Sequence, residues 1–106
     1  MSLLDGAEGL FNSAIQEAVE ECPELSAHEK EVMARLTVDD VTVVSCENEF
    51  RGPIKCKVEK GGDSVVIIEG YIRLNRGDPD VCPEICIETV WIFPETEPKH
   101  IYYRTQ

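Results

Sequence analysis

The sequence predicts one α+β domain over residues 1–106, with two N-terminal helices packed on one face of a five-stranded, mostly antiparallel meander sheet. Three observations support this prediction. Apolar residues recur every three or four positions in the first third of the chain, as on amphipathic helices. Farther on they alternate at every second position, as on strands. The longest β-branched run, residues 64–74, is apolar on both of its faces, which predicts a central strand covered on both sides.

The first helix is predicted over residues 5–22. Asp5 and Glu8 have the spacing of a capping box at its start, and Pro23 lacks the backbone N–H that would continue it. Its predicted buried stripe comprises Ala7, Leu10, Phe11, Ala14, Ile15, Ala18 and Val19.

A second, shorter helix is predicted from Ser26 onward. Ser26 and Glu29 have the Ser-x-x-Glu spacing of a full capping box. Lys30 and Arg35 lie toward the C-terminal end, where the helix dipole favours cations. The predicted buried edge comprises Val32, Met33 and Leu36.

Five strands follow, predicted over residues 38–50, 54–59, 64–74, 84–93 and 99–104. Because side chains alternate between the two faces of a strand, each residue can be assigned to a face. The face toward the helices is expected to carry Val66, Ile68, Gly70, Ile72, Leu74, Ile85, Ile87, Thr89, Trp91 and Phe93. The far face is expected to carry Val41, Val43, Val65, Ile67, Tyr71, Val90 and Ile92.

The register of the first three strands is predicted from their loops. Loops of three residues, 51–53 and 61–63, keep apolar residues opposite apolar residues and lysines opposite glutamates. A two-residue loop would place lysines opposite core residues, and each lost aliphatic burial costs about 1.5–3 kcal/mol. The predicted register pairs Cys46 with Val58, Val58 with Val66, Glu49 with Lys55, and Lys55 with Glu69.

The negative charge is concentrated in the first half of the chain. Of the net charge of −11, residues 1–50 contribute twelve carboxylates and two cations, and residues 51–106 nine carboxylates and eight cations. Such a chain is repelled by nucleic acids and anionic membranes and attracted by basic protein surfaces. We therefore expect a basic protein partner, unless the acidity serves solubility alone. The expected contact residues are Glu17, Glu20, Glu21 and Glu24.

Several classes of protein are disfavoured. The five cysteines are odd in number and contain no Cys-x-x-Cys pair, which is typical of free thiols in the cytoplasm and of neither a disulfide framework nor a zinc site. No apolar run approaches the length of a membrane span, and no secretory signal is visible. The sequence carries no catalytic signature, so we expect no cofactor and no metal and do not favour an enzyme.

Two functions are compatible with these features. The first is a non-enzymatic, acidic, cytoplasmic binding protein that docks a basic partner, as inhibitors, immunity proteins and chaperones do. The alternative is a small-molecule-binding protein or enzyme with a pocket between the helices and a curved sheet. The expected lining of that pocket is Phe11, Ile15, Trp91 and Phe93.

The far face of the sheet also predicts self-association. Two helices cover one face of a five-stranded sheet, and an apolar patch on the other face exceeds what a monomer normally exposes. A two-fold homodimer is the simplest cover, with another protein or a strongly curled sheet as the alternatives. The expected interface comprises Val65, Ile67, Tyr71, Val90 and Ile92.

Overall fold

The computed structural model describes residues 6–46, 53–73, 80 and 82–105, and it confirms the predicted α+β fold. Five antiparallel strands lie side by side in chain order, so the third strand is central. The elements are α1 (Ala7–Glu21), α2 (Ala27–Ala34), β1 (Val41–Cys46), β2 (Ile54–Lys60), β3 (Val65–Arg73), β4 (Glu84–Phe93) and β5 (Lys99–Arg104).

The helix α1 lies on the sheet and α2 packs against α1. Phe11 and Ile15 of α1 are fully buried in the core, as the apolar stripe predicts. The start of α1 differs from the prediction, because Gly6 is its N-cap and provides no side-chain cap, and Asp5 lies outside the described residues. The capping box of α2 is present as predicted, with the Ser26 hydroxyl accepting from the Glu29 backbone N–H at 3.1 Å.

The first strand begins later than predicted. Residues 38–40 form a short 3₁₀ turn, since the Asp40 carboxylate accepts a hydrogen bond from the Thr37 backbone N–H at 2.8 Å. This local capping bond competes with strand pairing at the same residues. Residues 47–50, at the end of the predicted strand, lie outside the described residues.

The predicted register between β1 and β2 is wrong. Cys46 lies opposite Ile54, and Lys55 lies opposite Ser45. The prediction paired Cys46 with Val58 and Lys55 with Glu49, which would need a shorter connection between the strands. Paired Cys46 and Ile54 leave seven residues between them, not three.

A bulge in β1 also changes which face its valines occupy. The register shifts by one residue between Val43 and Ser45. Such a shift reverses the faces of the residues on one side of the bulge relative to a regular strand, here the residues before it. Val41 is consequently buried in the core, and Val43 packs against it. Their predicted position on the far face is wrong.

The register between β2 and β3 is displaced by two residues from the prediction. Val58 lies opposite Ile68 rather than Val66, because Lys60 pairs with Val66 and leaves five residues between the paired positions. A displacement of two keeps each side chain on its face. The predicted core residues Val66, Ile68, Gly70 and Ile72 are therefore buried even though their partners differ, and Leu74 lies outside the described residues.

A second bulge, at Glu88 of β4, reverses the faces of the strand's second half. Glu69 pairs with Thr89 but Gly70 pairs with Ile87, which leaves Glu88 without a partner in β3. Before the bulge the prediction holds, since Ile85 and Ile87 are buried. After it the faces exchange: Val90 and Ile92 are buried, whereas Trp91 and Phe93 lie on the far face.

Gly70 sits beside this bulge because no side chain fits there. An added Cβ would lie 2.1 Å from the carbonyl oxygen of Cys86 and 2.9 Å from Cε1 of Phe11. Phe11 therefore packs directly against the backbone of β3, which brings α1 close to the centre of the sheet.

Candidate protein-binding surface

Four glutamates lie in the C-terminal part of α1 and in the turn that follows it. Glu20, Glu21 and Glu24 are exposed and Glu17 is half-buried. Glu17, Glu20 and Glu21 lie three and four residues apart near the end of α1, and Glu24 lies in the turn that follows the helix. These are the four residues that the sequence predicted for partner binding, and we call them the acidic stripe.

The acidic stripe is electrostatically unfavourable for the isolated chain. The last turn of α1 contains no basic residue, and carboxylates there oppose the helix dipole. Among the residues that the structure describes, none of the four carboxylates forms an ion pair. Other surface carboxylates do, such as Glu31 with Arg35 and Glu84 with Arg104. The stripe is therefore a charge cluster that the described part of the chain leaves uncompensated.

The hydroxyl of Tyr103 fixes two members of the acidic stripe. It lies 3.0 Å from Oε2 of Glu17 and 3.2 Å from Oε2 of Glu21, so it donates its proton to one carboxylate or the other. Burial and the two neighbouring carboxylates raise the pKa of Tyr103 far above its ordinary value. The phenol therefore stays neutral and provides a hydrogen bond without any positive charge.

The lysine that reaches the α1–α2 junction is occupied by another carboxylate. Lys99 Nζ lies 2.6 Å from Oε1 of Glu29 and 3.1 Å from the carbonyl oxygen of Glu24. Glu29 is only 1% exposed. Burial alone would raise the pKa of Glu29, but hydrogen bonds from Lys99 and Ser26 outweigh it and hold that pKa below the ordinary value. This pair anchors the start of α2 to β5 without compensating the stripe.

The predicted ligand pocket is not formed. Phe11 and Ile15 lie fully buried between α1 and the sheet, whereas Trp91 and Phe93 lie on the far face. The four side chains are therefore on opposite sides of the sheet, and the predicted lining is wrong. The bulge at Glu88 is the physical reason, since it reverses the faces of the residues that follow it.

The thiols of Cys56 and Cys86 in the sheet are unsuited to nucleophilic catalysis. Burial, with a smaller effect of Glu8, raises the pKa of Cys56 to about 12. Burial also raises the pKa of Cys86, with Glu88 acting in the same direction. A buried thiol with a raised pKa is protonated at neutral pH, and the thiolate is the reactive form.

Ser64, Glu95 and His28 form a cluster that sequence spacing does not reveal. The Glu95 carboxylate lies 2.5 Å from Nε2 of His28 and accepts from the Ser64 hydroxyl at 2.9 Å. The carboxylate stands between the other two groups, so the histidine cannot take the proton of the serine as a catalytic base would. The hydrogen bonds from His28 and Ser64 hold the pKa of Glu95 below its ordinary value. The cluster joins the start of α2 to two turns of the sheet.

The far face carries a smaller apolar patch than the sequence predicts. Val65, Ile67 and Tyr71 lie on it as predicted, but Val90 and Ile92 are buried on the helix side. Trp91 and Phe93 take their place as cross-strand neighbours of Ile67 and Val65. Their rings meet edge to face with centroids 5.5 Å apart, and Phe93 is 50% exposed.

No protein-family model, curated protein sequence or solved structure matches this chain. Within residues 6–46, 53–73 and 82–105, neither helix has the length and apolar composition needed to cross a bilayer.

Proposed function

We propose that the chain is a non-enzymatic, acidic, cytoplasmic binding protein whose acidic stripe docks a basic protein partner. The observation that carries this proposal is the uncompensated charge of Glu17, Glu20, Glu21 and Glu24 at a helix C-terminus. Like charges at these spacings destabilise a helix by about 0.2–0.5 kcal/mol per pair, and the helix dipole adds to this cost. Cations supplied by a partner would remove both penalties.

The geometry of the stripe indicates what the partner presents. From Glu17 to Glu21 the helix axis advances roughly 6 Å, because each residue adds about 1.5 Å, and Glu24 lies in the turn beyond it. A partner that presents a compact cluster of two or three lysines or arginines can meet the carboxylates at this helix end. The contact is mainly electrostatic, so it should associate fast and weaken steeply with added salt.

The test compares charge reversal within the stripe with the same charge change elsewhere. Glu20→Lys with Glu24→Lys forms the test variant, and Asp63→Lys with Glu97→Lys forms the control, because these are also exposed carboxylates outside the described ion pairs. Tagged protein is used to capture partners from lysate of the source cell, and each captured protein is then purified and titrated directly.

The expected result is a captured protein with a basic surface that binds the wild type and the control equally well. The stripe variant should bind it at least about tenfold more weakly, which corresponds to about 1.4 kcal/mol. The proposal would be contradicted by captured partners that have no basic surface. It would also be contradicted by partners that bind the stripe variant and the control variant equally and stay bound at high salt.

A homodimer is a second part of this proposal, supported by the aromatic residues on the far face. The alternative function, a small-molecule binder or enzyme with a pocket between helices and sheet, gains no support, since core side chains such as Phe11, Ile15 and Met33 fill that space.

A further inference from the structure

We infer that the homodimer forms by two-fold packing of one far face on another, with the residues Val65, Ile67, Trp91 and Phe93 at its apolar end. We call these four residues the aromatic end. The inference rests on the proposed homodimer. In the interface, Trp91 and Phe93 take the place that the sequence analysis gave to Val90 and Ile92, which are buried on the helix side. The occupant is a second copy of this chain.

The first argument is charge. A protein with a net charge of −11 repels its own copies unless they meet through a neutral surface. Among the residues that the structure describes, strand alternation, pairing and the groove beside the bulge place four cations and four carboxylates on the far face, so the charges of these eight residues cancel. They are Lys55, Lys57, Arg73, Arg104, Glu59, Glu69, Glu84 and Glu88. The α1 members of the acidic stripe, Glu17, Glu20 and Glu21, lie on the helix side of the sheet. A generic basic partner has no reason to choose the neutral face, whereas a second copy does.

The second argument is area. Neighbouring strands lie about 4.8 Å apart and each residue adds about 3.3 Å, so a five-stranded face of six to nine residues covers roughly 500–700 Å². Two such faces would bury roughly 1,000–1,400 Å² in total, which reaches the lower part of the range for specific interfaces. The expected dimer is therefore of micromolar rather than nanomolar affinity.

The third argument is the arrangement of residues on the face. The pairs Val65–Phe93 and Ile67–Trp91 lie at one end of β3 and β4, and the charged row begins at the next residues along the strands. A two-fold axis in the interface plane, parallel to β3, places one aromatic end against the other. It also brings β2 of one protomer over β4 of its partner.

This axis makes a specific prediction about charges. Lys57 on β2 and Glu88 on β4 line the same groove of the far face, which has a volume of about 320 Å³. With the axis along β3, Lys57 of one protomer faces the β4 strand of the other, near its Glu88. Each single reversal, Lys57→Glu or Glu88→Lys, should weaken the dimer, and the double variant should recover most of the loss.

The main test is sedimentation of the purified full chain at concentrations from below one to about 200 µM, which brackets a micromolar dissociation constant. Phe93→Glu is the test variant, since Phe93 is half-exposed and its removal opens no core cavity. Val38→Glu is the control, because Val38 is 44% exposed in the 3₁₀ turn and receives the same charge. Circular dichroism checks that both variants are folded.

The expected result is a wild-type dimer that dissociates on dilution, with the emission of Trp91, the single tryptophan, shifting to longer wavelength as it becomes exposed. Phe93→Glu should raise the dissociation constant at least about tenfold, and Val38→Glu should leave it unchanged. A folded wild type that remains monomeric across this range overturns the inference, as does a dimer that Phe93→Glu leaves intact.

These outcomes separate the inference from the proposed docking of a basic partner. Phe93→Glu should not affect binding of the basic partner, because the acidic stripe lies on the other side of the sheet. Loss of the dimer with retained partner binding supports both proposals. A monomeric wild type that still binds the partner through the stripe contradicts only the dimer.

Discussion

Replacement of Gly70 by alanine tests how closely α1 approaches the sheet. The new methyl group would lie 2.1 Å from the Cys86 carbonyl oxygen and 2.9 Å from Phe11 Cε1. A carbon atom needs at least about 3 Å, so β3 and β4 must separate locally by roughly 0.9 Å or the backbone must twist. The contacted oxygen belongs to the backbone of a paired strand, which cannot move aside as a flexible side chain can.

The cost can be worked from this displacement. Overpacking against a well-packed core costs about 1–3 kcal/mol. Weakening one or two hydrogen bonds of the β3–β4 ladder adds about 0.5–1.5 kcal/mol each. We therefore expect Gly70→Ala to lower the free energy of unfolding by about 3 kcal/mol, which is a large part of the 5–15 kcal/mol typical of small domains. The corresponding loss in Tm is roughly 10–20 °C.

Urea denaturation followed by circular dichroism measures this loss. Gly62→Ala is the matched control, since its Cβ would meet nothing closer than the Ser64 carbonyl oxygen at 3.9 Å. That variant should stay within about 0.5 kcal/mol of the wild type or gain slightly from reduced freedom of the unfolded chain. Equal midpoints for Gly70→Ala and Gly62→Ala would refute the close approach.

A combined variant separates the two contacts. Phe11→Leu removes the ring contact near Gly70 but leaves the Cys86 carbonyl in place. If the carbonyl dominates, adding Phe11→Leu to Gly70→Ala should recover less than about 1 kcal/mol. Full recovery would show that the ring alone makes the site tight.

Three further predictions concern charges. Lys99→Met should destabilise the fold by about 3 kcal/mol, because it leaves the buried Glu29 carboxylate without its cation. In urea denaturation, the double variant Lys99→Met with Glu29→Gln should lose less free energy of unfolding than Lys99→Met alone. Since the pKa of Glu29 is lowered in the folded chain, its contribution is present at neutral pH, and a pH series should show it lost as the pH falls below about 4. An unchanged acid profile in Glu29→Gln would contradict this. Glu20→Lys should raise Tm at low salt by the equivalent of about 0.5–1 kcal/mol, and added salt should reduce this gain. A loss of stability in this variant would show that repulsion among the glutamates of the acidic stripe does not destabilise the fold.

Sequence reasoning predicted the fold because each strong local signal agreed with the others. The stripe on α1, the capping box at Ser26 and the run from Val65 to Arg73 each specify an element by period or cap chemistry. The extent of β4 was predicted to the residue, from Glu84 to Phe93. These features depend on neighbours within one turn or one strand.

Registers and faces were less predictable because they depend on loop lengths and bulges. The error of two residues between β2 and β3 left the faces intact, since side chains repeat with a period of two. The bulges near Val43 and at Glu88 each inserted one residue and reversed a face. Only Gly70 hinted at the second bulge, because glycine within a strand often marks a bulge or a close backbone approach.

The bulge at Glu88 connects the packing of the core with the composition of the far face. By turning Val90 toward the helices, it adds this residue to the core beneath α1, where Gly70 allows Phe11 to approach. The same turn places Trp91 and Phe93 on the far face, beside Ile67. A regular strand would have buried both aromatic residues and exposed two aliphatic ones. The bulge therefore gives the far face rigid aromatic side chains, which contribute large contact area at low entropic cost.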